Sequence, residues 1–236
     1  MDEMIAAGGI GAPSATSKKT TTTLTRALLA AGVVAGPLFY VMVGIQALTR
    51  PGFDIRRHPL SLLSLGDLGW IQIATFVATG LGGVACAAGI RRALRHGRGA
   101  TWGPLMVGLW GLGLIAAGIF TADPAFGFPP GAPQGTQNHL SWHAVLHGAA
   151  FFTTFVSLVV ACVVFARRFA RLKRWGWVAY CLATAVVGPA LVAVGMSNTA
   201  AAGVPFALAG AVAFGWVSVL ALQLLSGLGS GRALSR

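Results

Sequence analysis

Six stretches of this chain, near residues 27–48, 68–90, 102–122, 142–166, 175–196 and 204–226, contain no Asp, Glu, Lys or Arg. Each is close to or above the length of about 20 residues that a helix needs to cross the hydrocarbon core of a bilayer. Inside hydrocarbon no water is available, so every backbone N–H and C=O must be satisfied within the chain, and only helices or closed barrels qualify. Runs this long and this apolar read as helices. The expected fold is therefore all-α: a polytopic transmembrane bundle of six helices with both termini cytoplasmic. Composition closes off the alternative. Charged residues are 9% of the chain and hydrophobic ones 56%, whereas a soluble domain carries about 25% charged residues. A water-facing surface cannot be assembled from that supply.

The runs divide the chain into residues 1–23, a polar tail expected to be disordered and cytoplasmic, a six-helix domain over 24–228, and a short cytoplasmic tail over 229–236. Residues 1–23 hold Asp2, Glu3 and many threonines, with no cleavable signal-peptide pattern. Charge then sets orientation. The formal net charge is +12, but its placement argues against a nucleic-acid partner. Lys18, Lys19 and Arg26 precede or begin the first run; Arg91, Arg92, Arg95 and Arg98 follow the second; Arg167, Arg168, Arg171, Lys173 and Arg174 follow the fourth; Arg232 and Arg236 end the chain. All of these lie on one side of a six-helix topology, and only Arg50, Arg56 and Arg57 lie on the other. Lys and Arg beside helix ends mark the cytoplasmic face, so the chain is expected in the cell membrane with its termini inside. The basic runs themselves are expected to touch anionic lipid.

Cys86, Cys162 and Cys181 all fall within apolar runs, which suggests no disulfide framework. Gly32 with Gly36, and Ala85 with Gly89, have the small-xxx-small spacing that lets membrane helices approach closely. Pro189 falls inside the fifth run and is expected to kink it. Trp70 and Trp142 are placed at the outer helix ends, and Trp102, Trp175 and Trp177 at the inner ones. Ala85-Cys86 with Arg91-Arg92 and Ala161-Cys162 with Arg167-Arg168 also repeat at a constant offset, which places Asp67 opposite His143. Positive-inside selection alone can write such a pattern.

The remaining acids and histidines are sided too. Asp54, His58, Asp67, Asp123, His139 and His143 lie in or beside the outer connections, with His147 one turn further into the fourth helix. His139, His143 and His147 recur at four-residue spacing, so neighbours share a helix face. All three cannot bind one ion, because eight residues rise about 12 Å on a helix. Ser141 suits an N-cap, which leaves His139 in the loop and His143 with His147 as the usable pair. Asp123, before the helix-stopping Pro124, faces the start of helix 4 and is the expected third metal ligand or an orienting partner. His58 or Asp67 would be the fourth ligand or general base. A bound zinc would activate a water for attack. Histidines and acids at helix ends also serve simply as caps for loop carbonyls. Still, an ionisable group inside a span is costly and usually has a purpose, which singles out His147.

The motif Arg56-Arg57-His58-Pro59-Leu60-Ser61, with Leu65-Gly66 and Gly69-Trp70, resembles the domain of unknown function 998 family of bacterial membrane proteins. Phe120-Thr121-Ala122-Asp123-Pro124, Phe128-Pro129-Pro130-Gly131 and the His143–His147 pair are similar to that family's other marked stretch. The resemblance spans roughly residues 25–226. It implies a six-helix membrane protein of a kind common in actinobacteria, and no agreed activity. A weaker similarity, by analogy only, is to the membrane hydrolases that include alkaline ceramidases, in which Ser, Asp and His surround an intramembrane zinc. Two readings follow. The first is an outer-face, metal-dependent hydrolase or lipid-modifying enzyme acting on a lipid or small amphiphile. The second is a non-enzymatic lipid- or solute-binding membrane protein or transporter.

Overall fold

The computed structural model describes residues 15–94, 99–137 and 139–229. Six helices carry the fold: α1 Ala15–Thr49, α2 Gly69–Ala93, α3 Gly99–Ile119, α4 Trp142–Arg171, α5 Trp175–Ser197 and α6 Gly203–Gly229. All six are long and apolar enough to cross a membrane. Two short 3-10 turns, Leu60–Ser64 and Thr199–Ala201, interrupt the connections. The helices match the six apolar runs closely, with two informative differences. α1 begins at Ala15, ahead of its apolar run. α3 ends at Ile119 rather than at Asp123, because the backbone turns out of the helix once Phe120 N has donated to Ala116 O. Residues 1–14, Arg95, His96, Arg98, Arg232 and Arg236 lie outside the described residues.

Consecutive helices pack side by side, and α1 closes the ring against α6, with α2 also reaching α6. Because the helices alternate in direction, the connections 50–68, 120–141 and 198–202 meet at one end of the bundle. The arginine-bearing turns fall at the other. These are called here the loop end and the arginine end.

Small residues set how close the helices come. Without a hydrophobic drive between helices in lipid, packing and interhelical hydrogen bonds hold them together. Gly32 lies against Cys86 of α2 and Ala221 of α6, and Gly36 against Phe214 and Ser218 of α6. The Ser218 hydroxyl donates to Gly32 O at 3.2 Å. The expected Gly32–Gly36 face is thus a helix contact. Between α2 and α3, Gly80 and Gly83 meet Gly111 backbone to backbone. At the arginine end Ile90, Leu94, Phe165, Phe169, Trp216 and Leu220 are buried in the interior. All three cysteines are free and buried.

The outer surface is apolar, as lipid contact requires. Trp70 and Trp142 at the loop end, and Trp102 and Trp175 at the arginine end, are exposed, forming the two expected interfacial belts. Trp177 differs: it turns inward and stacks on Phe169 with ring centroids 5.2 Å apart. Pro189 lies within α5, which is helical without a break across it.

Candidate functional site

The three loops at the loop end are tied into one cap. Arg50, the residue after α1, is buried and reaches across the first loop to donate to Leu63 O at 3.1 Å and to Leu65 O at 2.5 Å. Its guanidinium also lies over the Phe128 ring, 5.5 Å from the centroid. Burial pulls its pKa down and the nearby Asp67 pulls it back up. Asp54 closes a turn with His58: Asp54 N donates to His58 Nδ1 at 2.9 Å, and His58 N donates back to Asp54 O at 2.8 Å. On the far side of the ring, His58 Nε2 lies 3.0 Å from Phe126 O of the second loop. Since Nδ1 is accepting, Nε2 carries the hydrogen and donates it. The third connection joins through Gly203 N, which donates to Arg56 O at 3.2 Å. Gly203 has no room for a side chain, because Ile55 O and His58 O occupy the space a Cβ would take.

Asp123 and the histidine pair sit beside this cap. Ser141 is the N-cap of α4, as its position suggested, and its hydroxyl accepts from Ala144 N at 3.1 Å. Asp123 faces that helix start: its Oδ2 accepts from Ser141 N at 2.7 Å. A carboxylate there complements the positive end of the helix. His143 packs face-near to Trp142, with centroids 3.7 Å apart, and lies 6.1 Å from the Phe120 ring. Its Nδ1 is buried without a hydrogen-bond partner. His147 turns Nδ1 toward the end of α3, 2.8 Å from Phe120 O and 3.1 Å from Ala117 O. These carbonyls belong to the last turn, which has no helical donors left to it. His147 therefore caps α3 from α4.

These placements bear on a zinc centre built from Asp123, His143 and His147. Among the described residues no three His, Cys, Asp or Glu side chains gather as a metal would require. His147 has committed one nitrogen to α3, and Asp123 has committed an oxygen to the α4 backbone. His58, the candidate base, uses both ring nitrogens on backbone groups in the cap. Asp67 is exposed at the start of α2 and His139 is exposed in the second loop. Without a group of three, the described donors do not assemble a zinc site.

What the arrangement does contain is a cavity. Below the cap, between the six helices, lies a space of about 320 Å³ lined from every helix. Pockets for small ligands run to about 300–1,000 Å³. Its walls are largely aromatic, with Phe39, Phe76, Phe151, Phe155, Phe206 and Phe214 prominent, and Pro59, Leu60 and Ser61 of the cap form its lid. The polar side chains on it are Tyr40, Ser61, His147 and Thr154, with Trp110 contributing ring carbon, since its Nε1 is fully buried. No lining residue carries a formal charge. Between α4 and α5 a second space of about 290 Å³ opens, walled by Val156, Val160, Pro189 and Val192. It shares Phe151, Phe152, Phe155 and Met196 with the central cavity. Phe152, Val156 and Met196 are more than half exposed on the outer surface, so the cleft that adjoins the central cavity faces the surrounding membrane.

Sequence reasoning found His147 but not the chamber it borders. Phe151 and Phe155 stand one turn apart on α4, a spacing that ordinary core packing also produces. Arg50 entered only as a charge to be counted by side. Its role as the brace of the first loop depends on Leu63 and Leu65 folding back over it, which no local motif announces.

Residues 33–223 match the model of a protein family described as protein of unknown function (DUF998). No curated protein and no solved structure matches the chain. The match covers most of the helical bundle, and the chain belongs to that family.

Proposed function

We propose that this member of the DUF998 family is a binding protein for a membrane-derived amphiphile, which it holds in the central cavity beneath the loop cap. The observation that carries this reading is the aromatic chamber lined from all six helices, with an apolar α4–α5 cleft adjoining it through shared wall residues. An apolar chain entering from the bilayer exchanges one hydrocarbon environment for another, and its polar end has His147, Tyr40 and Ser61 within the same chamber. The cap supports the reading by closing the chamber toward water. Arg50, His58 and Gly203 tie its three loops together, and the entry route belonging to this proposal lies between α4 and α5, where the second cleft adjoins the chamber. A hydrolytic, metal-dependent role has less support, because no three candidate ligands gather among the described residues.

Native mass spectrometry of the full chain in mild detergent, followed by lipid extraction, tests the proposal. The expected result is a co-purifying amphiphile at up to one per chain. Gly148 lines the cavity, and a Cβ there meets nothing within 4 Å. Gly148→Phe, whose Cβ is free of contacts, should take up part of the chamber, and the adduct should fall at least about tenfold, a change of about 1.4 kcal/mol. Undiminished retention in Gly148→Phe would overturn the reading. Stoichiometric zinc in the wild type, lost in His143→Ala, would favour the hydrolytic alternative.

A further inference from the structure

The chamber is selective in one chemical respect: it accepts hydrogen bonds far more readily than it donates them. His147 Nδ1 lies between two carbonyl oxygens, Phe120 O at 2.8 Å and Ala117 O at 3.1 Å. A nitrogen so placed must carry the ring hydrogen, which leaves Nε2 as a lone pair. No hydrogen bond to Nε2 forms within the described protein, and the ring lines the cavity. Tyr40 donates its hydroxyl hydrogen to Ala207 O at 2.7 Å, and Thr154 donates its own to Ala150 O at 2.8 Å. Both therefore also present oxygen lone pairs. Only Ser61, in the lid, keeps a hydroxyl free to act either way. The second constraint is charge. With no Lys, Arg, Asp or Glu on the walls, an ionised head drawn inside would lose its hydration with nothing to replace it.

From these two facts we infer that the ligand is a neutral lipid alcohol, a long apolar chain whose hydroxyl donates to His147 Nε2. This rests on the cavity-binding reading above and narrows it to a chemical class. A carboxylate or phosphate head brings acceptors to a wall that already offers acceptors, and brings a charge as well. An ether or ester end lacks the hydrogen that the site can use. A hydroxyl supplies that hydrogen and is the least costly polar group to bury.

The test compares three probes with one chain: palmityl alcohol, its methyl ether and palmitate, each titrated into the full-length protein at pH 8 and read by native mass spectrometry. The alcohol is expected to bind about tenfold more tightly than the ether, the scale of one well-made hydrogen bond, and more tightly than palmitate. In His147→Asn the side-chain amide can still donate to the α3 carbonyls but presents nothing where Nε2 stood. The alcohol's advantage over the ether should shrink to within about twofold, while binding of the chain itself persists. Equal affinities of alcohol and ether in the wild type, or tighter binding of palmitate, would overturn the inference and leave the cavity reading standing. Binding of none of the three probes would remove both.

Discussion

His58 and His147 illustrate how little a histidine's identity says about its work until its two nitrogens are placed. His58 is 3% exposed and joins the first loop to the second, accepting at Nδ1 and donating at Nε2. Removing it leaves Asp54 N and Phe126 O without their partner, in a setting that is only part-buried. Such a loss costs about 1–3 kcal/mol per unsatisfied group. His58→Ala should therefore lower the thermal unfolding midpoint in detergent clearly, and an unchanged midpoint would mean the cap is not held as described. His143 gives the opposite expectation. Its Nδ1 is buried and unpaired, between the Trp142 and Phe120 rings. His143→Phe removes an uncompensated polar atom and keeps the ring, so stability should hold within about 1 kcal/mol. A drop of several kcal/mol in the same melt would reveal a bond or ligand on His143 that the packing does not explain. At this scale the sequence showed which residues were unusual for their surroundings. It could not show which nitrogen met which carbonyl, because the carbonyls come from segments up to 68 residues away.

Between elements, α2 and α3 meet backbone to backbone through Gly80, Gly83 and Gly111. A Cβ on Gly111 would fall 2.6 Å from Gly80 O and 2.9 Å from Val84 N. Those atoms are backbone and cannot swing aside, so Gly111→Val must push the helices apart, at the cost of about 1–3 kcal/mol typical of overpacking. Gly215, where a Cβ meets nothing within 4 Å, is the control, and Gly215→Ala should leave the melt nearly unchanged. If both variants melt like the wild type, the two helices are not in glycine-mediated contact. Most helix ends were legible to within about five residues, because Trp142, Trp175 and the charge-free runs mark where hydrocarbon begins and ends; the exception is α1, which is helical from Ala15, within the stretch expected to be a disordered tail. Asp123 was expected to end α3, and Ile119 does so instead. His147 reaches over from α4 to take the carbonyls of Ala117 and Phe120, so the end of α3 is satisfied earlier than its own sequence suggests.

For the whole molecule, the gathering of most arginines at the end away from the loop histidines and acids yields a test of orientation. Thr136 is exposed in the second loop, while the native cysteines are buried and should react slowly. In Thr136→Cys, a membrane-impermeant maleimide applied to intact cells should label the loop end, in keeping with cytoplasmic termini. Labelling only after the cells are opened would invert the orientation. The sequence alone determined that the chain folds as six helices, where each crosses, and which end collects the bases. Those properties follow from local hydropathy and charge, which need only the bilayer as reference. The tertiary structure decided what lies between the helices. It turned Asp123 toward Ser141 N and His147 Nδ1 toward the end of α3, and it opened an aromatic chamber where six separate segments meet. A cavity is a shortage of atoms shared among distant residues, and nothing in any one run of sequence encodes it.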